Sequence, residues 1–337
     1  MKFGPVPVRL AKGAILAHSV THGSGRLRKG TCLGDDEIAL LQVAGLDTVT
    51  VARLDADDLD EDAAALAVAQ ALVPDPVAAG LVLKPVGTGR VNIVAQGAGV
   101  LRVAVAQIDA LNAVDPAITC ATLHDFMRLD PGGMVATVKI IAYGVARRAV
   151  DAACAAGRGG LRVAAPVLAS ASLIQTWVDP AADGQKGLAV TAARLDRLGV
   201  ALHDGGMVPH TIDALAQAVT QAKGDLVLIL TGSATSDLHD TAPEALRRAG
   251  GQVVHFGMPV DPGNLLFIGR LGARAVIGLP GCAKSPALNG ADWVLERVVC
   301  GLDVSAADIM GMGVGGLLKE IPTRPRPRRH GESATPD

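Results

Sequence analysis

Small, hydroxylated and acidic residues follow an apolar run between positions 225 and 240. The run ends at Leu230 and is typical of a strand whose two faces are both covered. It stops at Thr231-Gly232-Ser233, and a polar stretch then leads to Asp240. Backbone N–H groups and hydroxyls between a strand and the next helix can hold an anion. The segment therefore predicts a binding site for a phosphorylated ligand.

Two further turns of small residues follow along the chain. Pro262-Gly263-Asn264 precedes a predicted pair of strands around Gly272, and Gly278-Leu-Pro-Gly281 ends the second strand. Loops at the ends of neighbouring strands would line one pocket. The predicted ligand contacts are Thr231, Gly232, Ser233, Pro262, Gly263, Asn264, Gly278, Pro280, Gly281, Cys282, Lys284 and Ser285.

Two carboxylates in the first loop are candidates for chemistry. Asp237 and Asp240 could together hold a hydrated Mg²⁺, which prefers one or two carboxylates plus the phosphates of a ligand. A second interpretation applies to Asp240, because Thr241 and Glu244 have the spacing of a helix start and Asp is a common N-cap. Both interpretations of Asp240 remain open from the sequence, whereas Asp237 is predicted to contact the ligand.

The residues after Gly281 suggest a second charged contact. Lys284 precedes a predicted helix from Pro286 to Val299, where a cation opposes the helix dipole, and this indicates that an anion binds nearby. Cys282 is a possible nucleophile, but the sequence places no His with an orienting partner beside it.

The composition is typical of an α/β protein with two domains. The chain has 337 residues, half of them apolar, but only two Trp, one Tyr and four Phe, so Val, Leu, Ile and Ala must fill the cores. A net charge of −2 gives no indication of a nucleic-acid partner, and no apolar stretch approaches the roughly 20 residues that span a bilayer. The five cysteines lack metal-ligand spacing and predict reduced thiols in the cytoplasm.

Alternating strand and helix patterns predict how these loops are positioned. We expect a three-layer α/β/α domain with a mostly parallel sheet over 159–305, preceded by a mixed α+β region over 1–158 and followed by a Pro/Arg-rich extension over 306–337. Three detailed expectations are a strand over 6–10, one or two short helices within 107–126, and a strand over 161–168 followed directly by a helix over 186–198.

The order of these motifs resembles the molybdopterin-binding domain of molybdenum cofactor biosynthesis proteins, with the molybdopterin molybdenumtransferases as the most similar enzymes. The resemblance covers residues 160–302 and implies molybdopterin or the molybdenum cofactor as ligand, with Mg²⁺ on Asp237 and Asp240. Segments such as 89–93 and 134–140 are similar to a subgroup often fused to a cofactor nucleotidyltransferase. That enzyme, or a molybdoenzyme, is thus an expected partner, and a homodimer is the expected assembly.

Departures from the family pattern leave three functions open. Where the transferases carry Thr-Gly-Asp-Glu after the first strand, this chain has Ala169-Ser-Ala-Ser172 and Gln175-Thr176, and Cys282-Ala-Lys-Ser-Pro286 replaces Asn-Pro. One hypothesis is a transferase that exchanges the adenylate of adenylylated molybdopterin for molybdate. The second is a non-catalytic carrier or scaffold, and the third is an unrelated sugar-phosphate or nucleotide enzyme on a similar sheet.

Overall fold

The computed structural model describes residues 1–23, 25–261 and 263–318. The chain divides into two compact units. Unit 1 comprises Met1–Gly97 and Leu101–Val163, and unit 2 comprises Ala98–Val100 and Ala164–Asp337. None of the helices in the described ranges is long and apolar enough to cross a membrane.

Unit 1 is built mainly from antiparallel strands. Its strands are β1 (Lys2–Pro7), β2 (Ile15–Leu16), β3 (Val20–His22), β4 (Gly25–Leu27), β5 (Thr48–Arg53), β6 (Asp58–Asp60), β7 (Leu81–Gly87), β8 (Arg90–Ala95), β9 (Gly99–Val103), β10 (Ile118–Thr122), β11 (Arg128–Leu129), β12 (Met134–Ile140), β13 (Gly144–Ala146) and β14 (Leu161–Ala164). Its helices are α1 (Asp35–Val43), α2 (Glu61–Leu72), α3 (Pro76–Ala79), α4 (Val105–Asn112) and α5 (Arg147–Gly157). The largest sheet has the order β10-β12-β8-β7, and Val68 and Leu72 of α2 share its buried core.

Two expectations for unit 1 are wrong. The strand expected over 6–10 ends at Pro7, because Val8–Leu10 turns into a 3₁₀ helix closed by a bond from the Ala11 amide to the Val8 carbonyl. The helices expected within 107–126 are limited to α4, and β10 follows it. Ile118 and Thr119 are β-branched, and β10 pairs antiparallel with β12, so cross-strand packing favours the extended conformation there.

Unit 2 contains a six-stranded mixed sheet between helices. Its strands are β15 (Ser170–Trp177), β16 (Ala201–Pro209), β17 (Leu226–Leu230), β18 (Gln252–Met258), β19 (Asn264–Leu271) and β20 (Arg274–Leu279). Its helices are α6 (Gln185–Asp196), α7 (Ile212–Gln221), α8 (Thr241–Arg248), α9 (Gly290–Val299) and α10 (Ala306–Met310). The strand order is β16-β15-β17-β20-β19-β18, in which the first four strands run parallel and β19 runs antiparallel to both its neighbours.

The central strand β17 has helices on both of its faces. All five of its residues are buried, as the apolar run predicts. Val227 and Ile229 belong to the core shared with α7 and α8, while the Leu230 side chain packs on the opposite face against Gly187 of α6. The three-layer α/β/α fold with a mostly parallel sheet is thereby confirmed.

The expectation for residues 161–198 is wrong in one important respect. The strand β14 ends at Ala164, and an additional strand, β15, lies before α6 and pairs with both β16 and β17. A hydropathy pattern does not detect this strand, because several of its residues are polar. They are nevertheless buried, since each has a specific hydrogen-bond partner. The Ser172 hydroxyl donates to the Lys223 carbonyl (2.7 Å), and the Gln175 amide donates to the Gly184 carbonyl (2.9 Å).

Candidate functional site

The parallel strands of unit 2 end at one edge of the sheet, which we call the carboxyl edge. It comprises the residues that follow β15, β16, β17 and β20, together with the start of β19. Leu230 at the end of β17 is paired with Leu279 of β20, so the loops after these strands are neighbours. Asn264 is paired with Met258 at the same edge. The sequence-predicted residues of three separate segments are therefore brought together.

The turn after β17 is tightly packed against the end of β15. The Gly232 amide donates a 2.8 Å hydrogen bond to the Thr176 hydroxyl. A Cβ on Gly232 would lie 2.6 Å from the Thr176 carbonyl oxygen, which leaves no room for a side chain. Thr231 is buried, whereas Gly232 and Ser233 are exposed. The turn thus offers accessible backbone and the Ser233 side chain at a fixed position.

Asp240 occupies the capping position that the sequence leaves open. Its carboxylate accepts hydrogen bonds from the Ser236 amide (2.8 Å) and from the Thr241 amide (2.6 Å) at the start of α8. Burial raises the pKa of Asp240, but these amides and the nearby charge of His210 outweigh it and hold that pKa below its usual range. Both carboxylate oxygens are thus engaged by the protein.

Asp237 presents a more accessible carboxylate in the same loop. Its Oδ1 accepts the His239 amide at 2.8 Å, and the residue is exposed. Within the described ranges, no three His, Cys, Asp or Glu residues are grouped so that they could hold a metal ion. Asp237 is therefore an isolated carboxylate, and the described residues do not by themselves form a metal centre.

The loop after β20 contributes a cation to the carboxyl edge. Residues Gly281–Lys284 form a 3₁₀ turn, and Gly281 is exposed. The Lys284 Nζ atom lies 3.5 Å from the Thr231 carbonyl oxygen, at the outer limit of a hydrogen bond. The ammonium group of one loop is thus placed beside the turn of the other.

Arg194 of α6 fixes this second loop. Its guanidinium donates to the Asp292 carboxylate, to the Ala283 carbonyl (2.7 Å) and to the Ser285 carbonyl (2.7 Å). A longer bond of 3.3 Å reaches the Ala287 carbonyl. Since these carbonyls lie along the backbone that carries Lys284, Arg194 sets the path of the loop.

A chain of side-chain amides links the third segment to the second. Asn264 is buried and donates to Asn289 (3.0 Å), and the Asn289 amide lies 2.8 Å from the Cys282 Sγ atom. Asn289 also caps α9, so this helix begins at Gly290 rather than at Pro286 as expected. The neighbour of the Cys282 sulfur is thus an amide donor, and the geometry adds nothing to a nucleophilic role.

Three of the predicted contacts have mainly structural positions. Gly278 lies inside β20, where the Phe267 ring occupies the space that a side chain would need, at 1.9 Å from an added Cβ. Gly263 adopts a left-handed conformation (φ 74°), and the Ser285 hydroxyl accepts the Ala287 amide at 3.3 Å. Pro262 lies outside the described residues, and so does the Pro/Arg-rich segment from residue 319 onward.

Two residues that the sequence analysis did not select also meet at this edge. Thr176 and His210 are in contact, since the Thr176 hydroxyl lies 2.8 Å from His210 Nδ1. They are 34 positions apart in the chain. The available signal was modest: each residue stands at or just after a strand end, and His210 directly precedes Thr211, the N-cap of α7.

Asp261 is a second residue that the sequence analysis did not select. Both of its carboxylate oxygens are buried, and neither has a hydrogen-bond partner in the described part of the chain. Its backbone is left-handed (φ 59°), and its amide donates to the Gly316 carbonyl at 2.8 Å. The turn between β18 and β19 thus contains a constrained and unsatisfied carboxylate.

Two concavities of unit 2 differ in position: the larger one reaches Pro209 at the carboxyl end of β16, and the smaller one does not reach the carboxyl edge. A groove of about 770 Å³ runs between β16 and α7 and is lined by residues such as His203 and Gln217. A smaller, more apolar pocket of about 250 Å³ includes Ile268 and Leu302. None of the predicted contacts lines either concavity. The predicted contacts therefore lie on the loops of the carboxyl edge and outside both of these concavities.

Comparison with known families identifies two segments. Residues 5–53 match the model of a domain of unknown function (DUF8806). Residues 186–298 match the model described as a probable molybdopterin binding domain. A search of curated proteins found no significant match.

Several solved structures are similar to the chain at low sequence identity. The molybdopterin biosynthesis MoeA protein from Pyrococcus horikosii is 12% identical over 89% of this chain and 75% of its own, with a TM-score of 0.32. Molybdenum cofactor biosynthesis protein B is 15% identical over 40% and 88%, with a TM-score of 0.29. A molybdenum cofactor biosynthesis protein from Pyrococcus furiosus is 12% identical over 92% and 65%, with a TM-score of 0.23. At TM-scores this low, the likeness alone establishes neither fold nor function.

The family match and the site coincide in the chain. The matched residues include the turn at Gly232, the carboxylates of Asp237 and Asp240, and the ammonium of Lys284. The part of the chain that is similar to a probable molybdopterin binding domain therefore contains the loops of the carboxyl edge after β17 and β20.

Proposed function

We propose that unit 2 binds molybdopterin or the finished molybdenum cofactor at its carboxyl edge, through the phosphate of the ligand. The match of residues 186–298 supports a role in molybdenum cofactor biosynthesis. The observation that carries the proposal is the approach of Lys284 to Thr231, because it places a cation beside an exposed turn. Exposed backbone and an ammonium group are together suited to a phosphate.

Each contact has a distinct part in this proposal. The exposed Ser233 hydroxyl donates a hydrogen bond to the phosphate beside the Gly232 turn, and Lys284 neutralises its charge. The pterin extends toward Gly263 and Asn264, whose turn is connected to the second loop through Asn289. Asp237 would hold a Mg²⁺ that accompanies the ligand, and such an ion would screen the negative charge of the phosphate.

The end of β15 favours a carrier over a transferase. The resembling transferases carry their acidic pair after the first strand, whereas Gln175 and Thr176 lie inside β15, with both side chains engaged in hydrogen bonds within the protein. Asp240 is also occupied as a helix cap. We infer that the protein binds the pterin phosphate and passes it to a nucleotidyltransferase or a molybdoenzyme, and that it acts as a homodimer. Exchange of adenylate for molybdate is the competing activity.

Bound pterin in the purified protein tests the proposal. The full-length protein is purified from a host that makes the cofactor and is then oxidised, and the fluorescent molybdopterin derivative is quantified. We expect a signal near one per chain in the wild type, and a loss of about tenfold or more for Lys284→Ala, because a charge-assisted bond to phosphate disappears. Lys223→Ala, which removes an exposed lysine that precedes β17 at the opposite edge of the sheet, is the matched control and should retain the signal.

Asp237→Ala is a second variant, and its effect reports on the ligand-borne Mg²⁺. Absence of the derivative from the wild type would reject the proposal and favour the sugar-phosphate or nucleotide enzyme. Incubation with adenylylated molybdopterin and molybdate then separates the remaining alternatives. A carrier binds the compound without releasing adenylate, whereas a transferase releases it.

A further inference from the structure

We propose that His210 is a further ligand contact of the carboxyl edge, and that its Nε2–H group donates a hydrogen bond to the phosphate. The inference rests on the proposed function. It assigns a binding role to a residue outside the recognised loops and explains how the protein fixes the proton on one ring nitrogen.

The Thr176 hydroxyl determines which nitrogen of His210 carries the proton. Thr176 is 3% exposed, and its hydroxyl oxygen accepts the Gly232 amide at 2.8 Å. A hydroxyl has one proton to donate, and a buried hydroxyl proton requires an acceptor. Among the described residues, the acceptor within reach of the Thr176 hydroxyl is His210 Nδ1, at 2.8 Å. The neutral imidazole therefore accepts at Nδ1 and keeps its proton on Nε2.

Protonation of the ring does not remove this donor. In the imidazolium form Nδ1 also carries a proton and donates to the second lone pair of the Thr176 oxygen, while Nε2–H is unchanged. A charge on His210 lowers the pKa of the Asp240 carboxyl. The Nε2–H donor is consequently present in the neutral and in the charged ring alike.

The position of His210 places this donor beside the phosphate-binding turn. Its backbone amide donates to the Trp177 carbonyl at 2.8 Å, so the residue is held at the end of β15, next to β17. The ring is half-buried, and Nε2 makes no hydrogen bond with the described residues. Thr176 contacts both His210 and Gly232, which means that a single hydroxyl connects the donor to the turn.

A donor at this point also offsets an unfavourable charge. The Asp240 carboxylate lies in the same loop as the proposed phosphate contacts and would repel a phosphate. Its oxygens are already bound to the Ser236 and Thr241 amides and cannot turn away. The Nε2–H group of His210 attracts the phosphate and so offsets its repulsion by the Asp240 carboxylate.

Nuclear magnetic resonance on the full-length protein tests the tautomer and the contact together. Nitrogen-15 spectra of the imidazole groups should show His210 with Nδ1 unprotonated and Nε2 protonated at neutral pH. Addition of inorganic pyrophosphate should shift the His210 Nε2 signal and leave that of His203, an exposed residue of β16, in place. A neutral ring whose single proton is on Nδ1, or a His210 signal that pyrophosphate leaves unchanged, would overturn the inference.

Substitutions provide an independent measurement. We expect His210→Ala to weaken pyrophosphate binding by about tenfold, and His210→Gln to recover part of the loss, because its amide N–H can reach toward the position of Nε2. Thr176→Val should leave the ring without a fixed tautomer, whereas Thr176→Ser, which keeps the hydroxyl, should behave as the wild type does. His203→Ala, in the strand β16 that leads to His210, serves as the control. Equal pyrophosphate affinities for His210→Ala and the wild type would reject the contact.

The outcome is separable from that of the proposed function. A wild type that lacks bound molybdopterin but shows the pyrophosphate shift at His210 would reject the molybdopterin proposal and retain the phosphate contact. A wild type and a His210→Ala variant that both contain one molybdopterin per chain would reject the contact and retain the proposed function.

Discussion

The two loops that meet at the carboxyl edge are anchored in opposite ways. The turn at Gly232 is bound to Thr176, but residues 234–240 of the loop after β17 have partners near in sequence, such as the Asp237–His239 and Asp240–Ser236 bonds, which span two and four positions. The loop after β20 is held by Arg194, whose bonds span 89 to 98 positions. One loop is thus organised locally, while the other is fixed by the rest of the unit.

This difference indicates that one loop can adjust to a ligand while the other provides a rigid surface. A segment with few tertiary anchors opens at low free-energy cost, and binding loops commonly have this property. Residues 234–240 can therefore adjust to a ligand, while the turn at Gly232 stays packed against Thr176. The loop after β20 provides the rigid surface, with Lys284 at a position that Arg194 sets. Substitutions that affect the two loops unequally test this view.

Arg194→Leu should have the largest effect on stability. The substitution leaves the buried Asp292 carboxylate without its cation and three carbonyls without a donor. Breaking a buried ion pair from one side costs about 3–5 kcal/mol. Urea unfolding followed by circular dichroism would measure this loss of unfolding free energy. Arg248→Leu is the control, because the Arg248–Asp213 pair is exposed and should contribute less than about 1 kcal/mol. Similar losses for both variants would contradict the proposed anchor.

A matched pair of glycine substitutions sharpens the comparison. Gly232→Ala forces a Cβ against the Thr176 carbonyl and should cost about 1–3 kcal/mol, as overpacking does. Gly281→Ala meets no atom within 4 Å and should change the stability by less than about 0.5 kcal/mol. Thermal unfolding of the two variants measures the difference. If Gly281→Ala were the more damaging variant, the assignment of the crowded turn to the β17 loop would be wrong.

Asp240→Ala should have the smallest of these effects and should depend on pH. The loss of the N-cap of α8 costs about 1 kcal/mol near neutral pH. Because the folded-state pKa of Asp240 lies below its unfolded value, the contribution of its charge is fully present above the unfolded pKa. This contribution decreases as the pH falls through the folded pKa, so the wild type and the variant should converge in acid.

Urea unfolding at several pH values measures this convergence. Asp237→Ala is the control, since Asp237 is exposed and does not cap the helix. If the difference in unfolding free energy between the wild type and Asp240→Ala grew in acid, the expected direction of the Asp240 pKa shift would be wrong.

The sequence predicts the parts of the site that depend on local patterns. Five consecutive apolar residues predict β17, and the glycine at position 272 predicts the turn between β19 and β20. The capping position of Asp240 is also one of the two local interpretations. The adjacency of the loops follows from the parallel order of the strands, which the alternation of strands and helices indicates.

The remaining parts depend on contacts between distant residues. β15 was missed because Ser172 and Gln175 are polar, and their burial is favourable only through partners that the fold supplies. The Thr176–His210 contact joins two strand ends and cannot be derived from either segment alone. The contacts of Arg194 are likewise beyond local prediction, since no residue near it in the sequence indicates its three carbonyl partners.

The position of Trp177 gives the protein a built-in optical reporter. This half-buried indole ends β15, and its Cα lies 3.2 Å from the position that a Gly232 Cβ would occupy. The chain contains only one other tryptophan, Trp293 in α9, and a single tyrosine. A Trp293→Phe variant would therefore emit from one indole beside the turn. Its fluorescence would follow occupancy of the carboxyl edge in real time, without a label on the protein or on the ligand.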